Sequence, residues 1–301
     1  FFYLEMVIRS KDDESDMLYQ MSKILAGWKQ EDIRIGAKKT RGYGELKLTS
    51  VRMKTFDRTN ILEYANVYNY EDREDVFIEN SILDELKVEE SDCKYVTIKV
   101  PLQQNGGISI RQYAAEKGKP DFTHITANGL PVIPGTSFSG AIRHRIKSIL
   151  DQIKVTNSKQ ILERMFGYVD AARSDATAHR SLVMINECVL KNAVPLTMIR
   201  NGISRFESGA KAGALFKEIT YVGGKTILEI RVEKKEDIEA IIGFLMLALK
   251  DLSSGYLAVG GQTAVGRGCF QKNGDISVSG IEYSEERCLK EAFLQLILKG
   301  N

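Results

Sequence analysis

The chain has 301 residues, with 42 Lys+Arg against 40 Asp+Glu, a formal net charge of +2, 43% hydrophobic and 27% charged residues. Such a balance belongs to folded globular proteins and excludes disordered and collagen-like ones, while +2 is too small a sum to announce a nucleic-acid partner by itself. No apolar run approaches the roughly 20 residues that a bilayer span needs, and the opening FFYLEMVIRSKDDES lacks the ordered zones of a secretory leader, so a cytoplasmic protein with no membrane partner is expected.

Taken in chain order, a first strand over Tyr3–Ile8 precedes Met17, Leu18, Met21, Ile24, Leu25 and Trp28, whose spacing predicts an amphipathic helix. The glycine loop IGAKKTRGYGELKL (35–48) follows, inside a stretch from Ile33 to Lys54 that holds seven basic residues and one acid. Residues 70–92 reverse this, with ten acids against Arg73 and Lys87. They read either as a solvated linker or as a segment that repels nucleic acid. A strand is expected over 94–101, then a long loop through LQQNGGISIRQYAAEKGKPDFTH. In GLPVIPGTSFSGAIRHRIKSIL a turn at Pro131, Pro134 and Gly135 leads to a helix capped by Thr136 or Ser137, with Ile142, Ile146, Ile149, Leu150 and Ile153 on one stripe. A second strand, helix and glycine loop end the pattern, at Ile227–Val232, Ile238–Leu249 and VGGQTAVGRGCFQK (259–272).

An offset of 224 residues lays the second set on the first without a gap. Leu4 falls on Leu228, Leu25 on Leu249, and Gly36, Gly42 and Gly44 on Gly260, Gly266 and Gly268. A single offset that aligns a strand, a helix and three glycines marks an internal repeat. The second copy has about 130 residues ahead of its strand and the first almost none. The first domain is therefore expected to be only the closing half of such a unit, its other half removed or supplied elsewhere. We place domains at 1–92 and 93–301.

The loop and helix entry invite two readings each. Small residues feeding a helix N-terminus beside Arg143 and Lys147 suit a phosphate, but they equally suit a plain capped helix. Glycines at 260, 261, 266 and 268 can line amides along a polyanion or merely make a tight crossover. VGGKT (222–226) lacks the first glycine of a Walker loop and neither glycine loop spells GxGxxG, which disfavours nucleotide chemistry. The four cysteines, Cys93, Cys188, Cys269 and Cys288, form no CxxC pair, which favours free thiols over a disulfide frame or a zinc knuckle.

The order GLPVIPGTSFSGAIRHR, RMFG (164–167), NGISRFESGAKAGALFKEITYVGG (201–224) and GYLAVGGQTAVGRG (255–268) resembles the RAMP superfamily of CRISPR effector proteins, in particular the backbone subunits of type III complexes. The likeness covers about residues 94–275, with 1–48 similar to the end of another unit. It implies an α+β fold of tandem modified ferredoxin-like (RRM-like) domains, binding guide RNA and target RNA beside other subunits of an effector complex. By the same resemblance Ser137, Ser139, Arg143, Lys147, Arg205, Gly260, Gly261 and Arg267 contact the RNA backbone, and the repeat adds Lys38, Lys39 and Arg41. A β-hairpin thumb is implied over LKNAVPLTMIRNGISR (190–205), offering Pro195, Met198 and Ile199 as wedges against bases. Ser204 departs from the acid that relatives commonly place there.

Relatives that cut target RNA carry an Asp soon after a glycine pair. Here Gly106 and Gly107 are followed by no carboxylate before Glu116 and Asp121. Asp121 is the candidate catalytic residue and Mg²⁺ ligand, and an ordinary turn aspartate is the other reading. Some relatives use a general-base histidine, and His124, His144 and His179 are the candidates, Asp175 standing four residues before the last. A stand-alone ribonuclease of this fold and a scaffold that binds only proteins are the alternatives to an RNA-gripping subunit.

Overall fold

The computed structural model describes residues 14–46, 48, 52–53, 56–62, 78–79, 93–113, 120–169 and 178–298. They form two units, one of residues 1–37 and 44–93, the other of residues 38–43 and 94–301. The expected first strand and most of the acidic stretch lie outside the described residues.

In the first unit, α1 (Glu14–Lys29) is followed by a pairing of β1 (Arg52–Met53) with β2 (Ile78–Glu79). Leu25 is the buried residue of the expected apolar stripe, whereas Leu18 and Ile24 stay exposed. Past the helix the chain closes on itself: the Ile35 N–H donates to the Gly44 carbonyl (2.9 Å), and Arg34 pairs with Glu45 (2.9 Å).

The second unit runs β3 (Tyr95–Asn105), β4 (Gly107–Ile108), β5 (Arg111–Tyr113), β6 (Phe122–His124), β7 (Thr126–Ala127), β8 (Leu130–Ile133), α2 (Gly135–Gln152) and α3 (Ser158–Phe166). Then come β9 (Tyr168–Val169), β10 (Ala178–His179), β11 (Val183–Ile185), β12 (Cys188–Val189), β13 (Val194–Ile203), β14 (Ala210–Val222), β15 (Lys225–Glu233), α4 (Ile238–Ser253), β16 (Cys269–Lys272), β17 (Ser277–Ser279) and α5 (Glu285–Leu298).

Its main sheet has the order β11-β15-β3-β16, antiparallel throughout, with β17 also on β3. The path β3-α2-β11-β15-α4-β16 is a β-α-β-β-α-β succession, and the fold class is α+β. Alternation drives it: Val96, Ile98, Val100 and Leu102 of β3 point inward, as do Leu228, Ile230 and Val232 of β15. Phe138, Ile142, Ile146 and Leu150 of α2 repeat every four residues and are all buried, each burial contributing roughly 1.5–3 kcal/mol. Helix α2 ends at Gln152, so Ile153, expected on the stripe, is exposed. Ten residues of α4 are buried because α2, α5 and the sheet all pack against it, and Arg145 of α2 pairs with Asp251 of α4 (2.7 Å).

The stretch 102–124 corrects the sequence reading. Its described residues, 102–113 and 120–124, are not a long loop: they complete β3 and supply β4, β5 and β6 to a second sheet ordered β13-β14-β6-β5, with β4 also on β14. The β13–β14 hairpin pairs from Val194↔Val222 to Asn201↔Leu215, then bulges before Ile203↔Ala210. All four cysteines are free, and no helix among the described residues is long and apolar enough to cross a membrane.

Candidate nucleic-acid interface

Helix α2 begins where strand β8 turns at Pro134. Gly135 must be glycine, since a Cβ there would lie 2.0 Å from the Ile185 carbonyl oxygen. No side chain caps this helix, contrary to the expectation for Thr136 or Ser137; the Ser137 N–H instead donates to the Pro134 carbonyl (2.9 Å). Opposite the buried stripe, Thr136, Gly140, Arg143, His144 and Lys147 are exposed, while Ser137 and Ser139 are half-buried. Arg143 makes no ion pair among the described residues. Lys147 pairs with Asp151 at i+4 (2.5 Å), an exposed contact of at most about 1 kcal/mol, so its ammonium can still exchange partners. Lys38 is exposed and lines a cleft of about 150 Å³ with Tyr43, Pro134, Gly135, Thr136 and Glu187. Lys39 is exposed, and the Arg41 side chain lies outside the described residues.

In the second glycine loop several amides are already engaged. Gly261 donates to Ser109 O (2.8 Å), Gly266 to Thr263 O (3.0 Å), Arg267 to Gln262 O (3.4 Å) and Gly268 to Gly107 O (2.8 Å). A Cβ at Gly260 would meet Ser109 O at 3.0 Å. Glycine is needed here so that the loop can lie on the strand segment Gly107–Ser109. The close approach to Ser109 at Gly260 and Gly261 is that of a tight crossover.

Arg267 is also corrected. Its side chain is 4% exposed and its Nη2 lies 2.7 Å from Glu218 Oε1, itself 2% exposed. Burial withholds this guanidinium from a solvent-borne phosphate. Arg200 (3.1 Å) and Arg111 (3.6 Å) approach the same carboxylate, and Arg111 also covers the Phe122 ring at 4.4 Å. Three guanidiniums around one carboxylate leave the cluster positive. Sequence reasoning missed Glu218, although Phe216, Glu218 and Thr220 share one strand parity, and that parity is the inward one.

The hairpin carries the remaining candidates. Register places Met198 and Arg200 on the face of Glu218 and Phe216, and Pro195 and Ile199 on the other with Lys217 and Leu215. Met198 is therefore not a wedge: its sulfur lies 3.8 Å from Arg267 Nη2. Pro195 and Ile199 are exposed, as are Leu215 and, at the tip, Ile203, Arg205 and Phe206, whose ring is wholly solvent-facing. Ser204 is buried and builds the tip turn, its N–H donating to Gly209 O (2.8 Å) and its Oγ accepting from the Glu207 N–H (3.3 Å). A small hydroxyl serves that turn without a charge.

Asp121 sits at the hairpin's root. Its Oδ2 accepts the Lys217 N–H (2.7 Å) while its own N–H donates to Lys217 O (2.8 Å), a two-way clasp that starts the parallel pairing of β6 with β14. It belongs to no group of three potential metal ligands among the described residues, and one of its carboxylate oxygens is engaged in this clasp. These hydrogen bonds are those of a turn aspartate, and Glu116 lies outside the described residues. His124 is buried. Its Nδ1 accepts the Ile110 N–H (3.1 Å), so Nε2 carries the proton and donates to Val132 O (2.9 Å); burial holds its pKa below the usual value. That histidine is structural. His144 and His179 are exposed, His179 beside the Tyr168 ring, and Asp175 lies outside the described residues.

These features define an α+β protein with an exposed cationic helix face and an apolar-tipped hairpin. The sequence model of the RAMP superfamily matches residues 114–271, and the chain belongs to that superfamily. Among solved structures, one chain of "Type III-B Cmr-beta Cryo-EM structure of the Apo state" is similar at 10% identity and TM-score 0.45, covering 60% of this chain and 96% of the other. A chain of "Cryo-EM structure of the Type III-B Cmr-beta bound to cognate target RNA" is similar at 16% identity and TM-score 0.45, covering 84% and 82%. A search among curated proteins found no match.

Proposed function

We propose that the chain is a guide-RNA-binding backbone subunit of a type III CRISPR effector ribonucleoprotein, working in the cytoplasm beside other effector subunits and a target RNA. Its fold is read as tandem modified ferredoxin-like domains, the first represented by its C-terminal half. Superfamily membership and the order of its motifs support this. The observation that carries it is the β13–β14 hairpin, which exposes Ile199, Ile203, Arg205, Phe206 and Leu215 together on an element that a protein core would otherwise bury. Solvent-facing apolar and aromatic groups beside cations suit single-stranded RNA, whose bases stack on such surfaces while its phosphates meet lysine and arginine.

Phosphate contacts then fall to Arg143, Lys147, Lys38 and Lys39, with Ser137, Ser139 and Arg205 as hydroxyl and tip contacts. Such contacts fix position without reading sequence, as a subunit serving many guides requires. No chemical step is assigned to Asp121, whose Oδ2 accepts the Lys217 N–H.

The test is a salt titration of single-stranded RNA binding. Wild type should show log affinity falling linearly with log salt, and Arg143→Ala should flatten that slope by about 0.7 without changing sequence preference. Phe206→Ala should weaken binding by about 1–3 kcal/mol with the salt slope intact. An affinity independent of salt would remove the RNA reading and favour a scaffold that binds only proteins.

A further inference from the structure

Three elements meet at one rung of the hairpin ladder. Met198 of β13 stands opposite Glu218 of β14, and the buried Arg267 touches both, its Nη2 lying 2.7 Å from Glu218 Oε1 and 3.8 Å from the Met198 sulfur. Arg200, two residues further along β13, brings its Nε to 3.1 Å from the same Oε1. One side chain from outside the hairpin therefore grips both of its strands.

The hairpin needs such a grip. Among the described residues β14 pairs outside the hairpin only through Glu218 and Ile219 with β6 and through Tyr221 and Val222 with β4, and β13 pairs with β14 alone. From Phe216 toward the tip the ladder is a two-stranded ribbon, marginal by itself in water, so its direction is set at the root. The Asp121 clasp on Lys217 reaches β14, as does the Phe122 ring, edge-on to Phe216 at 6.3 Å. Arg267 adds a hold on β13.

The backbone that carries Arg267 is pinned on both sides. Gly266 and Gly268 flank it at φ 81° and 79°, and a Cβ at Gly268 would lie 2.0 Å from the Val259 carbonyl oxygen. The Gly268 N–H donates to Gly107 O (2.8 Å), and the Val259 N–H donates to Gly268 O (2.9 Å). A buried ion pair adds little net stability over an apolar contact of equal volume, because both charges lose their hydration. What a charge-assisted hydrogen bond adds is direction.

We infer that Arg267 is a positioning residue of the hairpin: it touches no RNA, and it fixes the angle at which the tip, with Ile203, Arg205 and Phe206, meets an RNA strand. The consequence for binding rests on the nucleic-acid reading above, while the hold on the hairpin stands without it. The glycine loop serves as the mount of this arm.

The test combines hydrogen exchange on the full chain with binding of a single-stranded oligouridylate. In Arg267→Met, amides of 194–201 and 215–222 should exchange about tenfold faster than in wild type, while those of 95–102 in the main sheet keep their rate. Affinity for the oligouridylate should fall about tenfold with the salt slope unchanged, whereas loss of a direct phosphate contact flattens that slope by about 0.7. In a Phe206→Ala background the same substitution should cost little further affinity, because its effect runs through the tip. If Arg267→Met does not melt cooperatively, Arg267→Lys, which keeps a cation against Glu218, takes its place, with both changes in the same direction. The inference is overturned by hairpin amides as slow as in wild type, by unaltered affinity, by a flattened slope, or by an equal loss in both backgrounds. A wild type that binds no oligouridylate overturns the nucleic-acid reading instead, and the exchange comparison then decides by itself whether Arg267 holds the hairpin.

Discussion

Glu218 and Arg143 show how differently two charged residues behave on one domain. The Glu218 carboxylate is 2% exposed and answers Arg267, Arg200 and Arg111. Glu218→Gln leaves those guanidiniums unopposed in a buried setting, and urea denaturation should show a loss of about 3–5 kcal/mol. Arg143→Ala, on the exposed helix face, should stay within about 0.5 kcal/mol of wild type. Equal losses would place the cluster at the surface. His124 supplies a pH signature. Its folded pKa lies below the ordinary 6.5 because burial disfavours the imidazolium. Above that value neither state binds the proton. As pH falls through 6.5 the unfolded chain takes up a proton that the folded one refuses, so stability drops, by at most about 1.4 kcal/mol per pH unit. In paired urea titrations the advantage of wild type over His124→Gln should therefore shrink from neutral pH toward about pH 5. Neither residue's role was fully legible in sequence. A lone basic residue in a glycine loop, such as Arg267, has no periodicity to report its burial, whereas Glu218 does sit on the inward parity of its strand.

At the scale of elements, what could be read was local. Strand β3 and helix α2 announce themselves because Val96, Ile98 and Val100 alternate and Phe138, Ile142, Ile146 and Leu150 recur every fourth residue. Strands β4, β5 and β6 do not, being two or three residues long and rich in Gly, Ser and Asn nearby. Strands β4 and β6 exist because β14 pairs with them from about a hundred residues away, Glu218 with Phe122 and Tyr221 with Ile108, and β5 pairs in turn with β6. Non-local ladders leave little mark on the short segments they recruit. The hairpin lies between these cases, its strands legible but its exposure not. That exposure separates the RNA reading from plain packing: Phe206→Ala and Ile199→Ala should lower RNA affinity while leaving the melting midpoint unchanged, since neither ring nor branched chain is buried. A drop in melting midpoint with no change in binding would assign both residues to the fold.

The whole molecule is organised by a repeat whose two copies are unequally clothed. Helices α1 and α4 keep the 224-residue offset at both ends, Glu14–Lys29 over Ile238–Ser253, and the glycine loops that follow share turn, φ signs and closing hydrogen bonds. Identical local geometry does not imply equal energetics. In α4 the equivalent faces are enclosed by α2, α5 and the sheet, and Leu249 is wholly buried; in α1 Leu25 is 8% exposed and its neighbours Leu18 and Ile24 face solvent. Truncating a leucine costs most where the surroundings cannot collapse or admit water. Leu249→Ala should thus destabilise the chain by about 3–5 kcal/mol, and the repeat-equivalent Leu25→Ala by about half of that or less. Trp28, the single tryptophan, stands on α1 and reports its unfolding by fluorescence, while far-UV circular dichroism follows the larger unit. Leu249→Ala should shift the dichroism midpoint strongly and Leu25→Ala only the fluorescence midpoint, modestly. Equal shifts in both probes would mean that the two copies share a single enclosed core, which the exposure of Leu18 and Ile24 argues against.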